Sequence, residues 1–281
     1  MARAQVEFIQ AQVLPWQTGI LGGALNDTEA KVLSRDDDSG AVSMVLRFPA
    51  GWSHREPFHL AAAEEFVVLE GDLTVNGVEY TELGYANFPA GHPRHTVSSK
   101  SGAVLVSFFD SAPDVVTGES ASGAANGFIE KIDVLREGWD ADYSGINSPE
   151  LAAAGARKKI LRADSGGGDQ TWFIGTLPLW RERKVETHPV VQEMFLLSGT
   201  MSGNTGIMQP GAYFWRPEGI QHGPYGSKTG NVILMRSQGG ALSTEYYDPD
   251  TPFTFDVPHR PVLPPELEDV GREPWTGGGR Y

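Results

Sequence analysis

The 281-residue chain contains no cysteine, so disulfides, thiolate metal ligands and a cysteine nucleophile are all excluded. It has no run of 18 apolar residues that could span a membrane, and its first residues lack the apolar core of a secretory signal. Basic residues are also few: 22 Lys and Arg stand against 36 Asp and Glu, a net charge of −14. Such a charge repels nucleic-acid phosphates and anionic membranes. We therefore expect a cytoplasmic protein that binds neither nucleic acid nor membrane.

Helical patterns are scarce, and short strand-like segments dominate. Segments such as Val42–Phe48 and Ala103–Phe109 are apolar and are separated by Gly, Pro, Asn and Asp. Asn76-Gly77 has the residues of a tight hairpin turn. One short helix is predicted after Ser148, an N-cap residue followed by proline. The pattern predicts an all-β fold of sandwich or barrel modules.

The chain repeats itself at an interval of about 128 residues. Glycines, prolines and histidines recur at offsets of 127 to 129, as in the pairs Gly71 and Gly199, Pro89 and Pro217, Gly91 and Gly219, His59 and His188, and His95 and His222. A repeat of this length is a whole domain. We predict an N-terminal module over residues 1–118, a C-terminal module over 119–257 and a Pro- and Gly-rich tail over 258–281. Residues 110–127 have little to bury and are interpreted as the end of the first module and a linker.

Six of the seven histidines lie in motif regions that recur in both modules. In each module a stretch with histidine and an acid or amide ends at a glycine, and a second stretch contains glycine, proline, glycine and histidine. These regions resemble the two motifs of the cupin family, the second of which is Gly-x5-Pro-x-Gly-x2-His. The C-terminal module matches this motif from Gly211 to His222. The N-terminal module, from Gly84 to His95, departs from it by one residue at two points.

The resemblance covers nearly the whole chain and implies a bicupin: two double-stranded β-helix barrels of the jelly-roll type in tandem. The chain is also similar to uncharacterised bicupins, to diketone-dioxygenase cupins and, over residues 63–71, to anti-sigma-factor cupins. The family resemblance implies a bound divalent transition metal. It also implies a homo-oligomer, which we expect to be a dimer.

Alternation along a strand places residues i and i+2 on one face, so a His-x-His pair can point together into a barrel. Both copies have lost the first histidine of this pair. Pro57 replaces it in the N-terminal module, where His54 or a water would have to substitute, and Glu186 replaces it in the C-terminal module. The candidate metal ligands are His59, Glu64, His95, Glu186, His188, Gln192 and His222.

Three choices stay open at this point. His92 competes with His95, which we favour because it occupies the repeat position of His222. Glu65 competes with Glu64, and Glu193 with Gln192, since bulges decide which neighbour faces inward. Either module could hold the metal, because the first has the standard glutamate and the second has the cleaner spacing.

Nitrogen and oxygen ligands of this kind suit Fe(II) first, with Mn, Ni or Zn as alternatives. We expect an enzyme that acts on a small organic molecule, with Glu64 and Glu186 as candidate catalytic residues. The first hypothesis, carried by the resemblance, is a non-haem iron dioxygenase that cleaves a C–C bond of a diketone or a ketone/enol-type substrate. The alternatives are a redox-neutral isomerase, lyase or hydrolase and a non-catalytic sensor that binds metal or ligand. Arg216 and Arg236 could pair either with a substrate carboxylate or with a glutamate.

Overall fold

The computed structural model describes residues 3–120, 127–139, 149–278 and 280–281. The chain is all-β, as predicted, and the described helices are short. They are α1 (Val134–Glu137), α2 (Pro149–Ala153), α3 (Pro265–Gly271) and the 3-10 turns Ala11–Val13 and Gly23–Leu25. The predicted short helix corresponds to α2, and its proposed cap Ser148 lies outside the described residues. No described helix has the length and hydrophobicity needed to cross a membrane.

The strands in the first half of the sequence are β1 (Val6–Gln10), β2 (Gln17–Thr18), β3 (Glu29–Arg35), β4 (Val42–Phe48), β5 (Ser53–His54), β6 (Phe58–Leu60), β7 (Glu64–Gly71), β8 (Leu73–Val75), β9 (Val78–Tyr80), β10 (Gly84–Phe88), β11 (Val97–Ser98), β12 (Ala103–Phe109), β13 (Val115–Thr117) and β14 (Ile129–Asp133). Those in the second half are β15 (Arg157–Ala163), β16 (Gln170–Thr176), β17 (Trp180–Arg181), β18 (Val185–Thr187), β19 (Val191–Gly199), β20 (Met201–Gly203), β21 (Gly206–Met208), β22 (Ala212–Arg216), β23 (Gly226–Ser227), β24 (Asn231–Gln238) and β25 (Glu245–Tyr247).

The chain divides into two compact units. The first unit comprises Met1–Ala4 and Leu14–Gly138, and the second comprises Gln5–Val13 and Trp139–Tyr281. The first unit contains a seven-stranded sheet in the order β14-β10-β7-β12-β4-β3-β2, a four-stranded sheet β5-β11-β8-β9 and the ribbon β13-β6. All of these strand pairs are antiparallel.

The second unit repeats this plan. Its large sheet has the order β1-β22-β19-β24-β16-β15, its smaller sheet is β17-β23-β20-β21, and its ribbon is β18-β25. Every strand of the second unit therefore has a counterpart at the same sheet position in the first. Apart from the edge strands β1 and β14, this correspondence matches the sequence repeat, because residues about 128 positions apart occupy equivalent strands.

Each unit takes its edge strand from an unexpected part of the sequence. Val6–Gln10, predicted to belong to the 1–118 module, pairs with β22 of the second unit. Ile129–Asp133, assigned in advance to the 119–257 module, pairs with β10 of the first unit. The predicted boundary at 118/119 assigns each of these two strands to the other module, because the pairing partner of a strand depends on contacts distant in sequence.

Two further segments differ from the prediction. The expected linker contains β13, which pairs with Phe58–Leu60, while residues 121–126 of it lie outside the described chain. The predicted tail over 258–281 belongs to the second unit. In that tail, Val262 exchanges backbone hydrogen bonds with Glu7, and α3 follows directly after it.

The glycine that ends each first motif is required by a close backbone approach. Gly71 and Gly199 have φ angles of 76° and 74°. A Cβ atom on either would come within 1.8 or 1.9 Å of the carbonyl oxygen of Gly102 or Gly230, respectively. Only glycine fits such a position without moving the neighbouring strand.

The two interiors are filled differently. In the first unit, large side chains including Phe58, Leu60 and Phe88 are at most 2% exposed and belong to one continuous apolar cluster. In the second unit, apolar residues including Met194 and Phe214 surround a cavity of about 90 Å³. The candidate functional site lies at the wall of this cavity.

Candidate metal centre

Three side chains of the second unit converge at one point beside the cavity, and two of them, Glu186 and His188, line it. Glu186, His188 and His222 are buried, and their potential ligand atoms all lie within 4.8 Å of one another. Glu186 Oε1 is 3.3 Å from His222 Nε2 and 3.7 Å from His188 Nε2. Among the described residues this is the one group of acidic and histidine side chains with ligand atoms so close together.

Local strand pairing sets the positions of these residues. Glu186 lies in β18, and His188 follows two positions later, as alternation requires for side chains that share a face. The backbones of Glu186 and His222 form an antiparallel bridge with two hydrogen bonds, N to O distances 2.9 and 3.0 Å. The sequence predicted this convergence from the parity of 186 and 188 and from the second motif.

Both imidazoles are oriented by backbone carbonyl groups. His188 Nδ1 lies 2.8 Å from the carbonyl oxygen of Ser243, and His222 Nδ1 lies 2.8 Å from that of Ile220. A carbonyl oxygen can only accept, so each Nδ1 donates a proton and each Nε2 of a neutral ring keeps its lone pair. The two buried Nε2 atoms have no hydrogen-bond partner among the described residues. Two unpartnered lone pairs that face one carboxylate fit a metal ion, and carbonyl-anchored Nδ1 atoms are typical of metal-binding histidines.

The protonation states also fit metal binding. Burial works to raise the pKa of Glu186, but the adjacent imidazoles of His188 and His222 outweigh it and lower that pKa to about 2. Burial lowers the pKa of His222 from its usual value. The carboxylate is therefore anionic and the His222 imidazole neutral at neutral pH, which are the forms that bind a metal.

A buried arginine lies behind the centre. Arg216, 1% exposed, donates from Nε and Nη2 to the two carboxylate oxygens of Glu7, at 2.7 and 2.5 Å. Its Nη2 also donates to Tyr225 Oη, which in turn donates to Glu7. Burial opposes ionisation of Glu7, but Arg216 outweighs it and lowers the Glu7 pKa. Of the two partners predicted for Arg216, the structure shows the glutamate, and Arg236 likewise pairs with Glu193.

Gln192 lines the same cavity, but its carboxamide oxygen already has a partner. Arg216 Nη1 donates to Gln192 Oε1, across a register in which the two residues face each other on β19 and β22. This arrangement corrects the prediction of Gln192 as a metal ligand, because the atom that would bind the metal accepts from a cation. Glu193, the open alternative, bonds to Tyr213 and Arg236 instead of facing the cavity.

The cavity itself is mostly apolar. It is lined by Leu151, Trp172, Ile174, Thr176, Trp180, Glu182, Glu186, His188, Gln192, Met194, Met201, Phe214, Tyr225, Ile233, Met235, Leu242 and Thr244. None of these described lining residues is Lys or Arg. Glu182 accepts from the backbone N–H of Tyr225 at 2.8 Å and so has a structural partner.

The first unit does not bring its predicted ligands together. Glu64 is buried, but Arg94 donates to its Oε2 at 2.6 Å, so it is the anion of an ion pair and not a free acid or ligand. His95 is about half exposed, and its Nδ1 lies 3.4 Å from Glu119. His59 lies between Phe58 and Leu60 on β6, which are the inward-facing residues of that strand. The prediction of His59, Glu64 and His95 as one metal site is therefore corrected.

The predicted ligands do not converge because His95 lies one residue beyond the position equivalent to His222. Phe58 bridges Arg94 in the first unit as Glu186 bridges His222 in the second. Arg94 and not His95 thus occupies the position of His222, at the constant offset of 128. His92, the other candidate, stacks on Phe88 and Phe128.

Sequence reasoning missed Glu7 and Tyr225, which complete the partners of Arg216. No motif marks Glu7, because it lies more than 200 positions away from Arg216 in sequence. Only the pairing of β1 with β22 brings the two together.

Comparisons with known proteins agree with this fold. A protein-family model described as "Domain of unknown function (DUF4437)" matches residues 138–244. A protein from Nostoc punctiforme described as a "putative dioxygenase" has a similar structure, with a TM-score of 0.77 at 17% identity over 89% of this chain and 92% of that one. Oxalate decarboxylase from Bacillus subtilis gives a TM-score of 0.53 at 14% identity, over 85% of this chain and 78% of that one. No curated protein sequence matches the chain. At these identities the likeness shows a shared fold, the cupin-type jelly roll.

Proposed function

We propose that the second unit is a metal-dependent catalytic centre that acts on a small, neutral organic molecule. The observation that carries this proposal is the convergence of two buried, unpartnered imidazole nitrogens on the carboxylate of Glu186 at the wall of an apolar cavity. In the proposal, Glu186, His188 and His222 hold the ion. The first unit serves as a structural module.

The donor set narrows the choice of metal. Two imidazoles and one carboxylate suit Fe(II), Mn(II), Ni(II) or Zn(II), and with open positions they match the facial triad of non-haem iron enzymes. Oxalate decarboxylase, which shares the fold, contains Mn(II) centres. When bound, Fe(II) would supply a Lewis acid and a means to activate O₂. We favour Fe(II) for this reason.

The cavity lining supports a neutral substrate. Trp172, Met194 and Phe214 offer apolar surface, and no described lining residue is a free cation that would attract a dianion such as oxalate. Buried Arg216 is already committed to Glu7, Tyr225 and Gln192. A diketone, or a ketone that can form an enol, combines an apolar body with an oxygen that can approach the metal. Dioxygenase cleavage of a C–C bond in such a molecule is the reaction we favour.

A redox-neutral isomerase, lyase or hydrolase is the second candidate, since oxalate decarboxylase has the same fold. Such a reaction requires a proton acceptor that is basic near neutral pH. Glu186, with a pKa of about 2, is too weak a base for this role and is better suited as a permanent ligand. Oxygen consumption by the iron-loaded protein with a 1,3-diketone separates the two reactions, because only the dioxygenase uses O₂.

Metal analysis tests the centre directly. Protein purified without chelator is expected to hold about one transition-metal ion per chain, bound by Glu186, His188 and His222. His222→Ala should lose that ion, because it removes one of three ligands. His95→Ala is the matched control in the first unit and should retain it. Wild type with less than about 0.1 ion per chain after metal loading would refute the proposal.

A further inference from the structure

Gln192 offers a polar group to the cavity in addition to the proposed metal ligands. Its side chain lines the cavity, and the residue is 6% exposed. Its carboxamide has one acceptor, Oε1, and one two-proton donor, Nε2. The chemistry that Gln192 offers to a ligand therefore depends on which end of its carboxamide faces the cavity.

Arg216 determines the orientation of the Gln192 carboxamide. A guanidinium carries donors only, so it can bond to the carboxamide oxygen and not to the amide nitrogen. Arg216 Nη1 donates to Gln192 Oε1, and the ion pair with Glu7 fixes the guanidinium in place. Rotation of the carboxamide by half a turn would place two sets of donors against each other inside a buried site. The Oε1 end is thus held against Arg216.

The opposite end of the carboxamide is then free to bind a ligand. Gln192 Nε2 makes no hydrogen bond to any of the described residues, and the side chain belongs to the cavity wall that also contains Glu186 and His188. The first unit has Glu64 at the equivalent position, paired with Arg94. A carboxylate held in this way has no proton to donate. The donor is therefore particular to the second unit.

We propose that Gln192 is a specificity-determining residue, which donates a hydrogen bond from Nε2 to a carbonyl or enolate oxygen of the substrate and does not bind the metal. The inference rests on the proposed function in taking this cavity as the substrate site. It narrows the substrate class to molecules with an oxygen acceptor positioned beside the metal. An apolar molecule of the same shape leaves the Nε2 protons without a partner and is rejected for that reason.

The test compares two probes of equal shape on the full-length protein, freed of metal by chelation. Cyclopentanone carries the acceptor, and methylenecyclopentane replaces its oxygen by CH₂. The measured quantity is the ratio of their dissociation constants, obtained by ligand-observed NMR. In metal-free protein a preference for the ketone reports on cavity donors alone, since the imidazole Nε2 atoms only accept.

Two variants remove the donor in different ways. Gln192→Met keeps the length of the side chain without the amide, and Gln192→Glu keeps an acceptor for Arg216 so that the buried cation stays paired. Each should reduce the preference for the ketone about three- to ten-fold, the value of one neutral hydrogen bond. Ser198→Ala, a change at an exposed residue of the same strand outside the cavity lining, should leave the ratio unchanged.

A second measurement addresses the metal. Gln192→Met should take up as much metal as wild type, whereas His222→Ala should not. An unchanged probe ratio in both Gln192 variants, loss of metal in Gln192→Met, or wild type that binds neither probe would overturn the inference. If wild type takes up no metal but the Gln192 variants lose the ketone preference, the proposed function fails while the donor role of Gln192 stands.

Discussion

The two units have the same strand plan but opposite interiors at the equivalent positions. Residues 128 apart differ in chemical type between the two units. Apolar residues of the first unit correspond to polar or charged ones of the second in Phe58 and Glu186, Leu60 and His188, and Phe88 and Arg216. The ion-pair partners Arg94 and Glu64 of the first unit correspond to His222 and Gln192. In the first unit these positions form part of a filled apolar core with one buried ion pair. In the second they surround a cavity and a cluster of potential ligands.

The comparison shows that the repeated glycines and prolines maintain the fold and do not report on chemistry. Gly71 and Gly199 have the same conformation and the same close neighbour in both units. The chemistry depends instead on the inward residues of the short strands β6 and β18. The same strand plan can thus hold a filled apolar core in one copy and a cavity with a candidate metal centre in the other.

The largest expected effect comes from exchanging the residues at one equivalent position. His222→Arg places the first unit's residue in the second unit, where it removes a ligand and adds a positive charge beside Glu186. Metal affinity should fall by at least about a hundred-fold, measured by competition with a chromophoric chelator. The reciprocal change Arg94→His should create no metal site, because Phe58 and Leu60 supply no ligand. Uptake of a second ion by Arg94→His would contradict the comparison.

Loss of one partner of the ion pair in the first unit should affect stability and not metal. Arg94→Met leaves Glu64 as a buried carboxylate without a cation, and the free energy of unfolding should fall by about 3–5 kcal/mol in urea denaturation. The double variant Glu64→Leu/Arg94→Met removes both charges and should be more stable than Arg94→Met. Metal content should match wild type in both. A single variant as stable as wild type would show that the pair is unimportant.

The acid stability of the metal-free second unit should depend on Glu186. The pKa of Glu186 in the folded protein is about 2, below the ordinary glutamate value of about 4.3. A lowered folded-state pKa stabilises the protein above the unfolded value, and this contribution is lost as pH falls from about 4.3 towards 2. Unfolding followed from pH 6 to pH 2 should therefore show a smaller loss of stability for Glu186→Gln than for wild type. Parallel curves for the two proteins would argue against the low pKa.

The smallest effect is expected at His95. The side chain is about half exposed, and its contact with Glu119 is an exposed pair at 3.4 Å. His95→Ala should change the free energy of unfolding by no more than about 0.5 kcal/mol. Thermal denaturation of the two proteins side by side is a sufficient measurement. A large loss would show that His95 has a role that the structure does not assign to it.

The sequence predicted the all-β fold and the grouping of Glu186, His188 and His222, because both follow from short-range patterns. Strand alternation relates 186 to 188, and the second motif has its full spacing at His222. The sequence prediction chose His95 over His92 and did not consider Arg94, the residue that the constant offset of 128 relates to His222. The inward parity of Phe58 and Leu60 on β6 would have indicated the error.

The roles of Arg216 and Gln192 could not be predicted in the same way. They depend on Glu7, and nothing in the local sequence of β1 indicates that it pairs with β22. A hydrogen-bond partner also cannot be assigned to a carboxamide from sequence, because either of its ends can bond. These features required the three-dimensional arrangement of strands far apart in the chain.

The position of Glu7 has a consequence for how the protein is made. Val6–Gln10 leaves the ribosome before its partner strand Ala212–Arg216, which emerges about 200 residues later. Until Ala212–Arg216 has been synthesised, Val6–Gln10 has no strand to pair with, and Glu7 has no arginine partner. A polypeptide limited to residues 119–281 would lack this segment altogether, and adding back a synthetic peptide of residues 5–13 should help it to fold.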